Sequence, residues 1–210
     1  MNDLRTPRLL LRAIDEDEAV RILSGVAGPD DRWAPDFPFE GDRIAVGSFA
    51  RHTAEYGEQR PFGHYVIAGL EDGRVIGGIG FRSRPTNGRV EVGYGLVPSA
   101  RGRGYTAEAL TALLNLAREN GAIVVEAETT PDNVASQRTL ERAGFTVVGI
   151  DERLIHYEIA LTGRPDRSSR PRGWHDSRCG NGSLARSGDS SPVRSRPGRD
   201  DGRPPTSPRP

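Results

Sequence analysis

Between residues 64 and 129 the sequence changes from the periodicity of strands to that of a helix and back again. Residues 64–70, 74–82 and 89–97 are three strand-like runs, and the short connections at 71–73 and 86–88 each end in glycine. Such connections predict an antiparallel meander. Residues 105–119 then carry an apolar stripe at helical spacing, and residues 122–129 are strand-like again. Because a strand–helix–strand order favours a parallel crossover, this block predicts a mixed α/β sheet.

The flanking segments extend this sheet. Residues 8–13, 145–150 and 154–161 predict further strands, and residues 15–23 and 44–56 predict helices. Asn133 is suited to cap a last short helix that ends near Gly144. The expected fold is therefore α/β (α+β), with a mixed, mostly antiparallel sheet of about seven strands and helices on both faces.

A change of composition near residue 162 divides the chain. Residues 163–210 consist mostly of Arg, Pro, Ser, Gly and Asp, and such a segment cannot bury enough apolar surface to offset the entropy of ordering it. We expect one domain over residues 1–162 and a disordered tail over 163–210. The tail holds 11 of the 29 basic and 5 of the 29 acidic residues, so the net charge of zero divides into +6 for the tail and −6 for the domain.

Several function classes are disfavoured by these observations. An acidic domain argues against a nucleic-acid-binding face, which leaves the basic tail as the one segment suited to contact RNA or DNA. The single cysteine, Cys179, lies in the tail, so the domain has no disulfide framework, no cysteine-rich metal site and no cysteine nucleophile. We expect no bound metal. No apolar run has the length of a signal-peptide core or a membrane span, and we expect a cytoplasmic protein.

The loop at residues 98–106 joins the third meander strand to the amphipathic helix and carries two glycines and two arginines. Glycines in such a turn let backbone N–H groups converge at a helix N-terminus, which favours a phosphate or pyrophosphate. Gly102, Gly104 and Ala107 also satisfy the dinucleotide pattern G-x-G-x-x-A. We reject a nicotinamide cofactor because four residues separate the strand from the first glycine, and because a meander with one crossover is not a dinucleotide-binding sheet.

Four segments in order resemble one family. Residues 101–106 (RGRGYT) resemble the coenzyme A pyrophosphate loop of the GNAT superfamily of N-acetyltransferases, R/Q-x-x-G-x-G/A, with Thr106 in place of the final small residue. Residues 6–12 (TPRLLLR) and 90–94 (VEVGY) are similar to strands of its RimJ/RimL-like subgroup of ribosomal-protein acetyltransferases. Asn133-x-x-Ser136 followed by Gly144-Phe145 resembles the motif after the subgroup's fifth strand. The resemblance covers residues 4 to about 161.

The resemblance implies direct transfer of an acetyl group from acetyl-CoA to a primary amine in a ternary complex. The amine would belong to a protein N-terminus, such as that of a ribosomal protein, or to a small molecule, and the enzyme would be a monomer or a homodimer. Two central strands would splay apart around the pantetheine, with backbone N–H groups near Leu96 and Val97 free to bind it. The implied coenzyme A contacts are Leu96, Val97, Arg101, Gly102, Arg103, Gly104, Tyr105, Thr106, Asn133 and Ser136.

The catalytic residues are less constrained. Glu91 is the first candidate for the general base, and Glu126 and Glu128 on the next strand are alternatives. Many family members carry a tyrosine that acts as the general acid, seven residues after the motif asparagine. This chain has Leu140 at that position. Ser136 is the natural substitute, and Tyr94 and Tyr105 are weaker ones.

The loop at residues 28–42 carries aromatic side chains that either fasten it to the core or line the acceptor pocket. We assign Trp33, Phe37 and Tyr94 to that pocket. The absent tyrosine keeps one alternative function open, a non-catalytic module that binds acyl-CoA for regulation.

Overall fold

The computed structural model describes residues 3–161, so the expected tail at 163–210 lies outside the described residues. The described part folds into eight strands and four helices. The strands are β1 (Leu4–Arg5), β2 (Leu9–Ala13), β3 (His64–Gly69), β4 (Val75–Phe81), β5 (Arg89–Leu96), β6 (Val124–Thr129), β7 (Thr146–Ile150) and β8 (Ile155–Ala160). The helices are α1 (Glu16–Ser24), α2 (Glu40–Tyr56), α3 (Tyr105–Glu119) and α4 (Val134–Arg142).

All eight strands form one sheet in the order β1-β2-β3-β4-β5-β6-β8-β7. Every neighbouring pair is antiparallel except β5 and β6, which are parallel and connected through α3. This confirms the predicted mixed sheet with one crossover. The strand beyond the predicted seven is β1, a two-residue strand that pairs Leu4 with Leu11 and is too short to produce a periodic pattern.

Helices cover both faces of the sheet, as predicted. On one face, α3 buries Leu110, Leu113 and Ala117 against strands β2 to β6 and β8, and each fully buried leucine contributes about 1.5–3 kcal/mol. On the other face, a second cluster joins Ile22 of α1 and Val46 of α2 to Val66 of β3. None of these helices is both long and apolar enough to cross a bilayer within the described residues.

The parallel pair β5–β6 is open at one end. Its pairing covers three positions and ends where Glu91 faces Glu126, although β5 continues to Leu96 and β6 to Thr129. The two strands therefore diverge beyond Glu91 and leave a cleft between them, at the end of the strands where α3 begins. We call this opening the β5–β6 cleft.

Candidate active site

The backbone of β5 lines the β5–β6 cleft with every second residue. Glu91 O accepts from Arg82 N and Val97 N donates to Ile76 O, at 3.0 and 2.9 Å, so the odd-numbered positions of β5 face β4. Because hydrogen-bonding groups alternate along a strand, the N–H groups of Val92, Tyr94 and Leu96 face the cleft. The expectation of a free N–H at Val97 was therefore wrong, whereas that for Leu96 agrees with the direction of its backbone.

The loop at residues 98–106, which we call the glycine loop, lies at the open end of this cleft and leads into α3. It begins with a 3₁₀ turn at Pro98–Ala100, and Gly102 and Gly104 take φ values of 77° and 75°, the left-handed region that favours glycine. Gly104 is the N-cap of α3 and offers no side-chain cap. The first N–H groups of the helix have no intrahelical acceptor, so together with the helix dipole they form a site for an anion.

Arg8 braces the loop from the far end of the sequence. Its Nη1 donates to Arg103 O at 3.0 Å and its guanidinium lies 4.7 Å from the centre of the Tyr105 ring. The carboxylate of Glu108, in the first turn of α3, accepts from Arg8 N at 2.8 Å, from Arg8 Nε at 2.7 Å and from Thr6 Oγ1 at 2.6 Å. We call this set of contacts the Arg8–Glu108 clamp, and it fixes the loop relative to β2.

The two loop arginines have different surroundings. Arg101 donates from Nε to Leu96 O at 2.9 Å and lies 6.0 Å from the centre of the Phe39 ring, so it ties the loop to the end of β5. Arg103 is exposed and borders a cavity of about 420 Å³ together with Arg8, Arg74 and Tyr105. Neither Glu91 nor Ser136 lines this cavity, so it lies apart from the candidate catalytic groups.

The three candidate bases share the face of the sheet opposite α3. Val90 and Val92 of β5 and Val125 and Ala127 of β6 pack in the cluster that contains α3, and side chains alternate along strands. The positions between them, which are Glu91, Glu126 and Glu128, therefore point the other way.

Each of these carboxylates has a different partner. Glu91 lies 2.7 Å from the exposed Arg82, and burial raises its pKa in spite of that cation. Glu126 is held by Arg89, which also contacts Glu158. Glu128 Oε1 accepts a hydrogen bond from His156 Nδ1 at 3.1 Å. Burial therefore displaces the pKa of Glu91 toward neutrality.

Ser136 and Asn133 lie at the start of α4. Asn133 caps the helix through its Oδ1, which accepts from Ser136 N at 3.2 Å. The Ser136 hydroxyl lies 3.0 Å from the Tyr94 hydroxyl of β5, so the two side chains connect α4 with one wall of the cleft. Leu140 is fully buried in the core and cannot offer a polar group to the cleft.

The aromatic loop differs from the expectation. Phe37 is 7% exposed and packs in the core cluster beneath α1 and α2, and Trp33 packs against that cluster and against Phe37 at 5.2 Å between ring centres. Their assignment to the acceptor pocket was wrong for Phe37, whose ring is enclosed, and the structure gives Trp33 the same core-facing contacts.

Phe39 is the third aromatic residue of this loop and was not assigned to the acceptor pocket, yet it lies against the open half of β5. Its ring lies so close to Gly95 of β5 that a Cβ there would approach it to 2.7 Å, and Arg101 lies over it. The pairing of small residues, Gly41 and Gly95, with one aromatic side chain was the available signal, but only the fold shows that these residues meet.

Comparison with known proteins identifies the family of this fold. The sequence profile of the family described as "Acetyltransferase (GNAT) domain" matches residues 8–146. An uncharacterized N-acetyltransferase of Bacillus subtilis, YjdG, is 28% identical, and the alignment covers 68% of this chain and 88% of that protein.

Solved structures show the same fold. An acetyltransferase from Agrobacterium tumefaciens superposes with a TM-score of 0.55 at 25% identity, covering 76% of this chain and 94% of that one. RimL, a ribosomal L7/L12 alpha-N-protein acetyltransferase in complex with coenzyme A, superposes with a TM-score of 0.55 at 19% identity, covering 76% and 98%. With a profile match over most of the described residues, the chain belongs to the GNAT family of acetyltransferases, which take the acetyl group from acetyl-CoA.

Proposed function

We propose that this enzyme acetylates the primary amine of a cationic acceptor, a protein N-terminus first among the candidates, by direct transfer from acetyl-CoA bound in the β5–β6 cleft. The observation that carries the proposal is the cleft itself. It opens where β5 and β6 stop pairing at Glu91 and Glu126, below an anion-binding loop and beside a hydroxyl pair. Donor, base and leaving-group stabiliser therefore all have places around one cleft.

The donor would enter from the loop. The pyrophosphate would accept hydrogen bonds from the amides of residues 102–106 and sit at the positive end of the α3 dipole. The pantetheine would continue along β5, whose Leu96, Tyr94 and Val92 N–H groups face the cleft. The thioester carbonyl would then lie near the closed end of the cleft, where a backbone N–H of β5 would stabilise the oxyanion that forms in the transition state.

Glu91 would act as the general base. It takes a proton from the incoming ammonium, and the free amine attacks the thioester carbonyl to form the C–N bond. The C–S bond then breaks with its electron pair on sulfur, and the second proton of the nitrogen is released to solvent. Burial raises the pKa of Glu91, which makes it a stronger base than an exposed glutamate.

The acceptor class follows from charge and from similarity. The sheet face that carries Glu91 also carries Glu126, Glu128 and Glu158, with a net excess of acid over the neighbouring Arg82 and Arg89. An acidic surface favours the approach of a cationic acceptor. RimL, one of the solved structures with this fold, is described as acting on the alpha-amine of a ribosomal protein, so N-terminal peptides are the acceptors to test first.

Donor binding can be tested by titration calorimetry of the full chain with acetyl-CoA. Gly104→Glu places a negative charge at the loop and should abolish binding. The matched control is Gly121→Glu at the opposite end of α3. Its φ is 88° and a Cβ would meet nothing within 4 Å, whereas a Cβ at Gly104 would lie 3.7 Å from Arg8 Nη2. Equal loss in both variants, or no binding by the wild type, would refute the loop as the coenzyme site.

Transfer can be tested with a panel of N-terminal peptides and polyamines, followed by release of free coenzyme A. Glu91→Gln should lower kcat by about a hundredfold or more, the usual contribution of a general base, whereas Glu119→Gln on the exposed face of α3 should not lower it. Tight acetyl-CoA binding without transfer to any amine in the panel would favour the regulatory module instead. Full activity of Glu91→Gln would transfer the base role to Glu128.

A further inference from the structure

The serine at the start of α4 has an unexpected partner across the cleft. Tyr94 belongs to the open half of β5, beyond the last β5–β6 pair at Glu91. Its hydroxyl lies 3.0 Å from Ser136 Oγ and 3.4 Å from Ser136 O. These two residues are 42 positions apart in sequence, and their contact joins the strand that would hold the pantetheine to the helix that follows β6.

Hydroxyl chemistry limits what this contact can do. A serine hydroxyl has one hydrogen to donate and two lone pairs, and its rotation is otherwise free. When the tyrosine donates to Ser136 Oγ, one lone pair is used and the serine hydrogen remains available for a third group. Burial raises the pKa of Tyr94, so the phenol stays protonated and keeps its hydrogen for donation.

The position of Ser136 is fixed from a second direction. Its N–H donates to Asn133 Oδ1 at 3.2 Å in the cap of α4, and its side chain is half-buried. Backbone and side chain are thus both held, the first by the cap and the second by Tyr94. Leu140, one turn further along α4, is fully buried and offers no alternative donor.

We propose that Tyr94 is a positioning residue for the leaving group: it donates to Ser136 Oγ and so directs the Ser136 hydrogen toward the sulfur of coenzyme A. The inference rests on the proposed function. No proton is transferred through the pair. The C–S bond breaks with its electrons on sulfur, Ser136 donates a hydrogen bond to that thiolate, and the thiolate later takes its proton from solvent.

The test needs no knowledge of the acceptor amine. The full chain is saturated with coenzyme A, and the pKa of the bound thiol is measured from the ultraviolet absorbance of the thiolate as pH is raised. Because a hydrogen bond to a charged group is worth roughly a tenfold change in an equilibrium, Tyr94→Phe should lower the thiolate-to-thiol ratio of the bound coenzyme by about tenfold at a given pH.

Four further variants separate positioning from packing. Ser136→Ala should produce at least the same change, and the double variant should change no further, since the tyrosine acts through the serine. Ser136→Thr keeps a hydroxyl and should restore much of the wild-type value. Tyr157→Phe removes a hydroxyl from a buried tyrosine of the core cluster against which Tyr94 packs and should leave the pKa of the bound thiol unchanged.

The outcomes distinguish the inference from the function beneath it. A wild-type pKa of the bound thiol in Tyr94→Phe, with coenzyme A still bound, would overturn the role of Tyr94 and leave the acetyltransferase proposal intact. Additive effects of Tyr94→Phe and Ser136→Ala would overturn it as well. Failure of the wild type to bind coenzyme A would remove both. If Tyr94→Phe does not fold, Tyr94→Leu carries the same expectation and the same refutation.

Discussion

The Arg8–Glu108 clamp allows a quantitative prediction for Glu108→Gln. Three donors, Thr6 Oγ1, Arg8 N and Arg8 Nε, converge on this carboxylate within 2.6–2.8 Å, and its side chain is 15% exposed. Glutamine keeps one acceptor oxygen and turns an NH₂ group toward at least one of those donors. Hydrogen bonds to a charged group are worth about 1.5–3 kcal/mol, and Arg8 is half-exposed, so we expect a loss of about 2 kcal/mol in the free energy of unfolding.

The assay is urea denaturation with thermal unfolding beside it. A loss of that size lowers the Tm of a domain of this length by about 4–8 °C. Glu119→Gln, at the exposed end of the same helix, should stay within about 0.5 kcal/mol of the wild type. Glu108→Gln should also bind acetyl-CoA more weakly, because Arg8 would no longer be held in place to donate to Arg103 O, which it now does at 3.0 Å.

The pH dependence of Glu108→Gln checks the cause. Burial raises the pKa of Glu108, but the hydrogen bonds from Thr6 and Arg8 outweigh it and hold the pKa below the ordinary value. A carboxyl with a lowered folded pKa contributes stability above its unfolded pKa, about 4.3, and loses it as pH falls through the folded pKa. The difference between wild type and variant should therefore be complete at pH 7 and disappear in acid. A loss below 0.5 kcal/mol, or one independent of pH, would refute the clamp.

Three other changes test the fold around the cleft. Gly77→Ala should lower the free energy of unfolding by about 3 kcal/mol, because its φ is 154° and a Cβ would overlap Gly95 O and approach Leu96 Cα to 2.9 Å. Gly93→Ala, where a Cβ meets open space, should leave the denaturation curve unchanged. Burial raises the pKa of Asp42 to about 7, so its ionisation opposes folding and the wild type should lose stability as pH rises from about 4 to 7. Asp42→Asn should remove this decline. Parallel curves of stability against pH for wild type and variant would contradict this. Leu140→Tyr should lose about 1–3 kcal/mol by overpacking a fully buried site and should gain no acetyl transfer, so an increase in kcat would refute our account of that position.

The fold could be predicted largely because its signals are local. Glycine turns, the change of period at residue 105 and the cap at Asn133 each act over a few residues, and all three correspond to elements of the structure. The motif at residues 6–12 is explained by contacts made in the folded domain. Thr6 and Arg8 hold Glu108. Leu9 and Leu11 are buried in the core, and Arg12 pairs with the buried Glu18. Its residue types are visible in the sequence, but their partners, up to 102 positions away, are not.

The errors in the site have two physical causes. Val97 was expected to offer a free N–H, but backbone groups alternate along a strand, and a shift of one position exchanges the cleft side for the β4 side. Register of this kind is decided by the neighbouring strand, where Ile76 O accepts from Val97 N. Phe37 was expected in a pocket and lies in the core, because a loop with three aromatic residues does not reveal which of them faces inward.

Specificity for the acceptor should reside on the face of the sheet that carries Glu91. The helix side of the cleft has little freedom, since α3, the glycine loop and the Tyr94–Ser136 contact are tied to the core and to the Arg8–Glu108 clamp. On the opposite face, the charged side chains of β5, β6 and β8 are half-exposed, and Phe39 enters from a loop. Substitutions there can change which amine approaches without disturbing the donor. Exchanging Glu128 should therefore alter acceptor preference at constant affinity for acetyl-CoA, and a parallel change in both would place donor and acceptor recognition on the same residue.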